Sequence, residues 1–222
     1  MNVVTRKLIA KELYVNRWFI AGGVAGAIAS VLIAASGKTG FNIGALTWLT
    51  TIIATGVMLA LYGIMNERKE NSLQFIMSLP LSVGDYVRAK MFGLTLCFLV
   101  PWLVASVAAL LLVYLEHDIP DGIAAYLVLL CVFMLANFAV VLCGTLHAQS
   151  EALISAVIIV TNMAVSIFMF TVGPLPGINS HMWGAAPVWN ATFWTVLACE
   201  LAVLVLAFAL PFFFAARRRD FL

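Results

Sequence analysis

Six apolar runs, each long enough to cross a lipid bilayer, constrain the fold of this chain more than any other feature of its sequence. A transmembrane helix needs about 20 consecutive apolar residues. Runs of about this length cover residues 18–35, 43–65, 91–115, 122–146, 152–172 and 191–216. Because 64% of the residues are hydrophobic and only 10% are charged, the composition excludes an ordinary soluble domain. The sequence therefore predicts an all-α polytopic membrane protein with six transmembrane helices, forming a single domain over residues 1–222.

The lysines and arginines predict the side of the membrane that each loop faces. Six spans place both termini on one side, and all but Lys38 of the 12 lysines and arginines would lie on that side. Loops rich in lysine and arginine stay in the cytoplasm. Both termini, residues 67–90 and the turn at 147–151 are therefore predicted to be cytoplasmic. Residues 116–121 and 173–190 would face outward, the latter as an outer-surface or partly re-entrant segment.

Residues 1–17 carry several positive charges before the first apolar run. One face of a helix is marked roughly by Val4, Leu8, Lys11 and Val15. Ile9 and Leu13 lie beside that face. The pattern favours an amphipathic helix on the inner membrane surface. The alternative is a basic leader exposed to solvent.

A charged segment, ERKENSLQFIMSLPLSVGDYVRAK, connects the second and third spans at residues 67–90. Apolar residues at helical spacing, with glutamates near the N-terminal end, predict a short helix over 67–81. Pro80 ends this helix, because the residue before a proline is driven out of the helical region. Ser82 begins the next helix, with Asp85 in the capping-box position. The residues alone leave two interpretations open, an ordinary cytoplasmic loop and a docking element for a soluble partner.

Residues 67–90 resemble the signature of permeases in the type-two exporter family of ABC transporters. In that family the segment between the second and third spans contains four features in order. They are an acidic residue, the pattern E-N-S/T-L-x-x-L/I, the pattern S-L-P-hydrophobic-S/T, and a lysine. This chain has Glu67, the string ENSLQFI at 70–76, the string SLPLS at 78–82, and Lys90. The rest of the chain matches only in hydropathy, length and number of spans.

The resemblance implies that residues 67–81 are a coupling helix that docks onto an ATPase subunit, and that residues 1–17 are an elbow helix. The charged rim of the docking surface would be Glu67, Arg68 and Glu70. Its apolar anchors would be Leu73, Phe75, Ile76 and Met77. The implied function is ATP-driven export of a hydrophobic or amphipathic substrate, by alternating access, across the inner membrane of a bacterium.

Six spans form half of an exporter of this kind. The expected partners are two copies of an ABC ATPase, a second permease copy or a paralogue, and membrane lipids, without nucleic acid. The chain has no Walker A motif, so ATP hydrolysis is expected in a separate chain and this one is not predicted to be an enzyme. Neither a cofactor nor a metal is expected.

Two other functional classes remain as alternatives. A secondary transporter or channel usually carries several intramembrane charges, and Glu200 is the only one available here. No internal repeat is visible, which argues mildly against a transporter built from inverted repeats. An intramembrane enzyme lacks support, since the sequence has no zinc motif and no Ser/His pairing. A membrane assembly factor without an ATPase partner is the other alternative.

Glu200, Asn162 and Pro101 are the candidates for a translocation pathway. Glu200 lies nine residues into the last span, which is about 14 Å along a helix that rises about 1.5 Å per residue. It would be protonated, hydrogen-bond Asn162, Thr161 or Asn137, or line an aqueous cavity. Pro101 bends its helix, either as a tolerated kink or as a bend that lines the pathway.

The turn at residues 147–151 provides a second candidate contact with the ATPase, through His147, Gln149 and Glu151. It would be the only other cytoplasmic turn between spans. The alternative is a structural role, because Glu151 suits the N-terminal dipole of the fifth span.

Overall fold

A computed structural model describes residues 3–65, 83–116, 118–148 and 150–217. These residues form helices and no strand. Six of the described helices are long and apolar enough to cross a membrane, which confirms the all-α polytopic fold and a multi-pass membrane protein. The predicted coupling helix at 67–81 and the candidate contact residue Gln149 lie outside the described residues.

The helices follow the predicted order. The first half contains α1 (Val3–Val15), α2 (Arg17–Ala34), α3 (Lys38–Ala60) with a π-helical turn at Leu61–Met65, and α4 (Val83–Leu115). The second half contains α5 (Ile123–His147), α6 (Glu151–Val172), α7 (Pro176–Met182) and α8 (Ala191–Arg217). The spans are α2, α3 with its π turn, α4, α5, α6 and α8.

Two helix boundaries differ from the sequence prediction. The loop expected at residues 36–42 is shorter, because α3 begins at Lys38. Gly37 makes this tight connection with a φ of 108°, a backbone conformation that residues with a side chain rarely adopt. The helix predicted to begin at Ser82 and the third span form one continuous helix of 33 residues. The charged foot of α4 is therefore a rigid extension of its membrane span.

The core lies where α3, α4 and α5 pack together. Phe98 of α4 and Phe138 of α5 stack with ring centroids 4.0 Å apart, and Leu59, Leu94 and Leu129 are fully buried members of the same core cluster. Aromatic pairs of this kind add about 0.5–1.5 kcal/mol beyond the area they bury. This packing holds α4 and α5 in the centre of the bundle.

The described loops group at two ends of the bundle. At one end the Gly122 amide donates to the Gly184 carbonyl at 2.9 Å, which joins the 118–122 turn to the segment after α7. Lys38 lies at the same end, lining a cavity with Asp118 and Trp183. Within residues 173–190, α7 is a short helix whose Ile178 is buried in the core. The opposite end carries α1, the π turn and the foot of α4.

The face that α1 buries differs from the predicted one. Thr5, Ile9, Glu12 and Asn16 are buried, and the Cα atom of Ile9 and the side chain of Glu12 lie directly against Gly93 of α4. Val15 is exposed, and Lys11 is exposed as well. The prediction that Lys11 and Val15 mark the buried face of α1 was wrong, because a glutamate was not expected on that face.

Candidate functional site

A buried ion pair joins α1 to the foot of α4. The Lys90 Nζ donates to Glu12 Oε1 at 2.7 Å, and the two side chains are only 3% and 5% exposed. The same ammonium group donates to the Gly63 carbonyl at 2.6 Å. Gly63 belongs to the π turn at Leu61–Met65 that follows α3, and the dipole near the C-terminal end of a helix favours a cation. Lys90 therefore connects three helices at one point.

Two glycines allow this close approach. A Cβ atom at Gly93 would lie 2.8 Å from Cγ and 3.0 Å from Cβ of Glu12. A Cβ atom at Gly63 would lie 2.6 Å from a methyl group of Leu94. Larger residues at either position would separate the helices that Lys90 connects.

The second carboxylate oxygen of Glu12 is oriented by the junction between α1 and α2. Asn16 is fully buried there, and its side-chain amide donates to the Glu12 carbonyl at 2.9 Å and to Glu12 Oε2 at 3.4 Å. The backbone continues the helical pattern through this residue, since the Ile20 amide donates to the Asn16 carbonyl at 3.0 Å. The carboxylate thus accepts from both sides, which a buried charge requires.

The Lys90–Glu12 ion pair lies beside both ends of residues 66–82, the segment that connects the second and third spans. Gly63 precedes residues 66–82 and Lys90 follows them, so one ammonium group connects the two ends of the segment that resembles a coupling helix. Through Glu12 the same group holds α1, the predicted elbow helix. Any displacement of residues 66–82 would therefore act on α1, α3 and α4 together.

A glycine substitution tests how tightly the pair is packed. Gly93→Ala is expected to lower the free energy of unfolding by about 1–3 kcal/mol through overpacking, offset in part by about 0.5–1 kcal/mol of helix propensity. Thermal unfolding of the purified protein measures the effect. The control is Gly22→Ala in α2, where a new Cβ would meet nothing within 4 Å. Equal stability of the two variants would contradict the close contact.

The turn after α5 makes contacts within the chain. The His147 ring nitrogen Nδ1 is 2.8 Å from the Cys143 carbonyl, and the ring edge meets Phe214 at 5.2 Å between centroids. Ser150 begins α6, with its hydroxyl accepting from the Leu153 amide at 3.3 Å. Glu151 is exposed in the first turn of α6. Of the described candidates in this turn, Glu151 is the more accessible to a partner, and His147 packs against α8.

Glu200 faces the interior of the bundle. It lies on a stripe of α8 with Phe193, Ala207 and Pro211, all of which are buried, and is itself 6% exposed. Neither of its carboxyl oxygens has a hydrogen-bond partner among the described residues. The expected bond to Asn162, Thr161 or Asn137 is therefore not formed, and the Thr161 hydroxyl donates to the Val157 carbonyl of its own helix.

None of the cavities among the described residues is lined by all three pathway candidates. Asn162 and Asn137 line a small cavity of about 20 Å³ beside Phe98 and Phe138, and Glu200 is not part of its wall. A cavity of this size has room for one water molecule. Pro101 is buried against α2, where a Cβ at Gly23 would lie 2.9 Å from the Pro101 Cβ.

The comparisons with known proteins leave the family of this chain open. No protein-family model matches the chain, and no curated protein matches it either.

The sequence did not lead us to predict the ion pair, although the pattern of residues in α1 indicated that Glu12 is buried. Thr5, Ile9, Glu12 and Asn16 recur at the four- and three-residue spacing of one helix face. A glutamate and an asparagine in such a stripe indicate a buried polar contact, because a lipid-facing stripe would be apolar. The partner Lys90 could not be found this way, since it is 78 positions away.

Proposed function

We propose that this chain is the membrane-spanning permease subunit of an ATP-driven exporter of the ABC type. The observation that carries the proposal is the set of bonds made by Lys90, which connects the ends of residues 66–82 to α1, α3 and α4. The resemblance of residues 67–90 to the coupling segment of such permeases supplies the partner, an ATPase subunit. Two ATPases and a second permease copy or paralogue would complete the transporter.

The mechanism follows from this connection. ATP binding brings two ATPase subunits together and displaces the segment docked on each. Because the foot of α4 continues into its span without a break, a displacement at residue 83 would tilt the part of the helix that precedes Pro101. The ion pair passes the same displacement to α1 and the end of α3. Two bundles moved in this way would alternate between openings on the two sides of the membrane.

The distribution of basic residues supports placing residues 66–82 on the cytoplasmic side of the membrane. Among the described residues, Arg6, Lys7, Lys11, Arg88 and Lys90 lie at the end from which residues 66–82 emerge. Lys38 is the basic residue described at the other end. A cytoplasmic location of the basic end would place the docking segment where ATP is available.

A docking test separates this proposal from a transporter without an ATPase. The double substitution Phe75→Asp and Ile76→Asp is expected to abolish co-purification with an ABC ATPase encoded beside this chain, since charges would enter an apolar contact. The permease should still be recovered from the membrane fraction at its usual level. Co-purification followed by quantitative immunoblotting measures the result.

The matched control is Gln74→Asp, which adds a carboxylate at a position that the signature leaves variable. It should leave the complex intact. Complex formation by the Phe75→Asp, Ile76→Asp variant at the level of this control would contradict docking through the apolar residues. Absence of any ATPase that binds the unmodified chain would contradict the proposed function itself.

A further inference from the structure

Two adjoining cavities of opposite character lie at the end of the bundle remote from the ion pair. One, of about 180 Å³, is walled by five spans from α2 to α6. The other, of about 310 Å³, lies between the α2–α3 connection and the 116–120 turn. The two share Ala34, Phe41 and Ile123 in their walls, so they are neighbours.

The cavity of about 180 Å³, here called the apolar cavity, is lined almost entirely by carbon atoms. Its wall includes Leu49, Leu112 and Leu127, and two of its polar side chains, Ser30 and Trp48, are hydrogen-bonded elsewhere. The Trp48 indole donates to the Ala105 carbonyl at 3.0 Å, and the Ser30 hydroxyl donates to the Ala27 carbonyl at 2.7 Å. An apolar cavity of about 150 Å³ is known to stay dry and to accept a benzene-sized group. This cavity therefore suits a short stretch of hydrocarbon.

The outer cavity carries charges of both signs. Lys38 lies in its wall together with Glu116 and Asp118, and so does Trp183, which is 70% exposed overall. Lys38 forms no ion pair with either acid among the described residues, so the three charges remain available to a ligand. An ammonium group of a lysine binds phosphate as a point charge, and an indole face beside carboxylates binds a quaternary or primary ammonium.

We infer that the two cavities together bind a zwitterionic amphiphile with one hydrocarbon chain, a phosphate and an ammonium group. The chain enters the apolar cavity, the phosphate contacts Lys38, and the ammonium lies between Trp183 and the acids. The observation behind this is the contact of a carbon-lined cavity with one that holds one cation and two carboxylates. The site stands on this chain alone, whether or not an ATPase binds it.

The binding test uses a single-chain phosphocholine lipid with bromine at the chain end, added to the protein in phosphatidylglycerol nanodiscs. Bromine quenches nearby tryptophan, so binding should give saturable quenching of Trp48, which lines the apolar cavity. The saturable part should disappear in Trp48→Phe. Linear quenching without saturation would overturn the inference, because it indicates collisions in the bilayer only.

Two exposed alanines of α3 provide a matched pair of variants. Ala45 lines the apolar cavity and Ala54 does not, and both are exposed on the same helix. Ala45→Phe should weaken binding about tenfold or more, and Ala54→Phe should leave the affinity unchanged. Equal affinities of the two variants would overturn the inference. Because both side chains add bulk at an exposed position, loss of folding does not explain a difference between them.

The head group is tested separately with charge variants and a second ligand. Lys38→Met and Glu116→Gln should each weaken the phosphocholine lipid about tenfold. Neither should change the binding of a brominated alkyl maltoside, which carries no charge. Equal binding of both ligands to the unmodified protein would overturn the assignment of the charged cavity to a zwitterionic head.

Discussion

Lys90→Met is expected to lower the free energy of unfolding by about 3–5 kcal/mol, because removing one partner of a buried ion pair leaves the other charge uncompensated. Glu12 would stay buried at the α1–α4 contact, and Asn16 would be the side chain among the described residues that still donates to it. The Gly63 carbonyl would lose its donor as well. Chemical or thermal unfolding in a mild detergent measures the loss.

A double-mutant cycle separates the ion pair from the rest of the contact. Glu12→Leu with Lys90→Met replaces both charges by apolar side chains, which is often neutral or stabilising at buried sites. The double variant should therefore recover most of the stability that Lys90→Met loses. It should remain about 1 kcal/mol below the unmodified protein, since the Gly63 carbonyl still lacks its hydrogen bond.

The control lies two residues away on the same helix. Arg88 forms an ion pair with Asp85 at 3.8 Å, but its side chain is 61% exposed. Exposed pairs contribute about 0–1 kcal/mol, so Arg88→Met should have little effect. If Lys90→Met cost no more than Arg88→Met, the buried ion pair would not be the connection that the geometry indicates.

The spans and their order could be predicted from the sequence because the bilayer imposes strong local rules. A backbone in hydrocarbon must satisfy its own hydrogen bonds, so apolar runs of this length become helices wherever they occur. The predicted boundaries of the last four spans agree with those of α4, α5, α6 and α8 to within one residue, except that α4 begins before its predicted span. The start of α3 at Lys38 was missed because a lysine and a glycine-containing turn resemble a loop in composition.

The contacts between helices could not be predicted in the same way. The burial of Glu12 depends on Lys90, which the chain brings close only after α2, α3 and residues 66–82 have been placed. The neighbours of Pro101, Asn162 and Glu200 likewise depend on which face each helix turns inward. Polar residues in apolar runs suggested a shared pathway, but nothing local tells whether two such residues face the same neighbour.

Glu200→Met is expected to raise the free energy of unfolding by about 1–3 kcal/mol, because a buried polar group without a partner costs about that much. Both carboxyl oxygens lack a hydrogen bond among the described residues, and the side chain is 6% exposed between Phe193 and Ala207 on its stripe. Methionine has a similar length and adapts to irregular packing. Thermal unfolding in detergent measures the gain.

Two further variants at this position distinguish the causes. Glu200→Gln retains polar atoms in the same place and should give no gain, whereas Glu200→Ala should lose stability through the space it leaves. A loss with Glu200→Met as large as that with Glu200→Ala would mean that the carboxyl has a partner that the described residues do not include. If the proposed complex with an ATPase forms, a more stable Glu200→Met protein that supports ATP hydrolysis but not transport would indicate that the carboxyl serves transport. Ionisable residues inside a membrane are rare and commonly mark such functional positions.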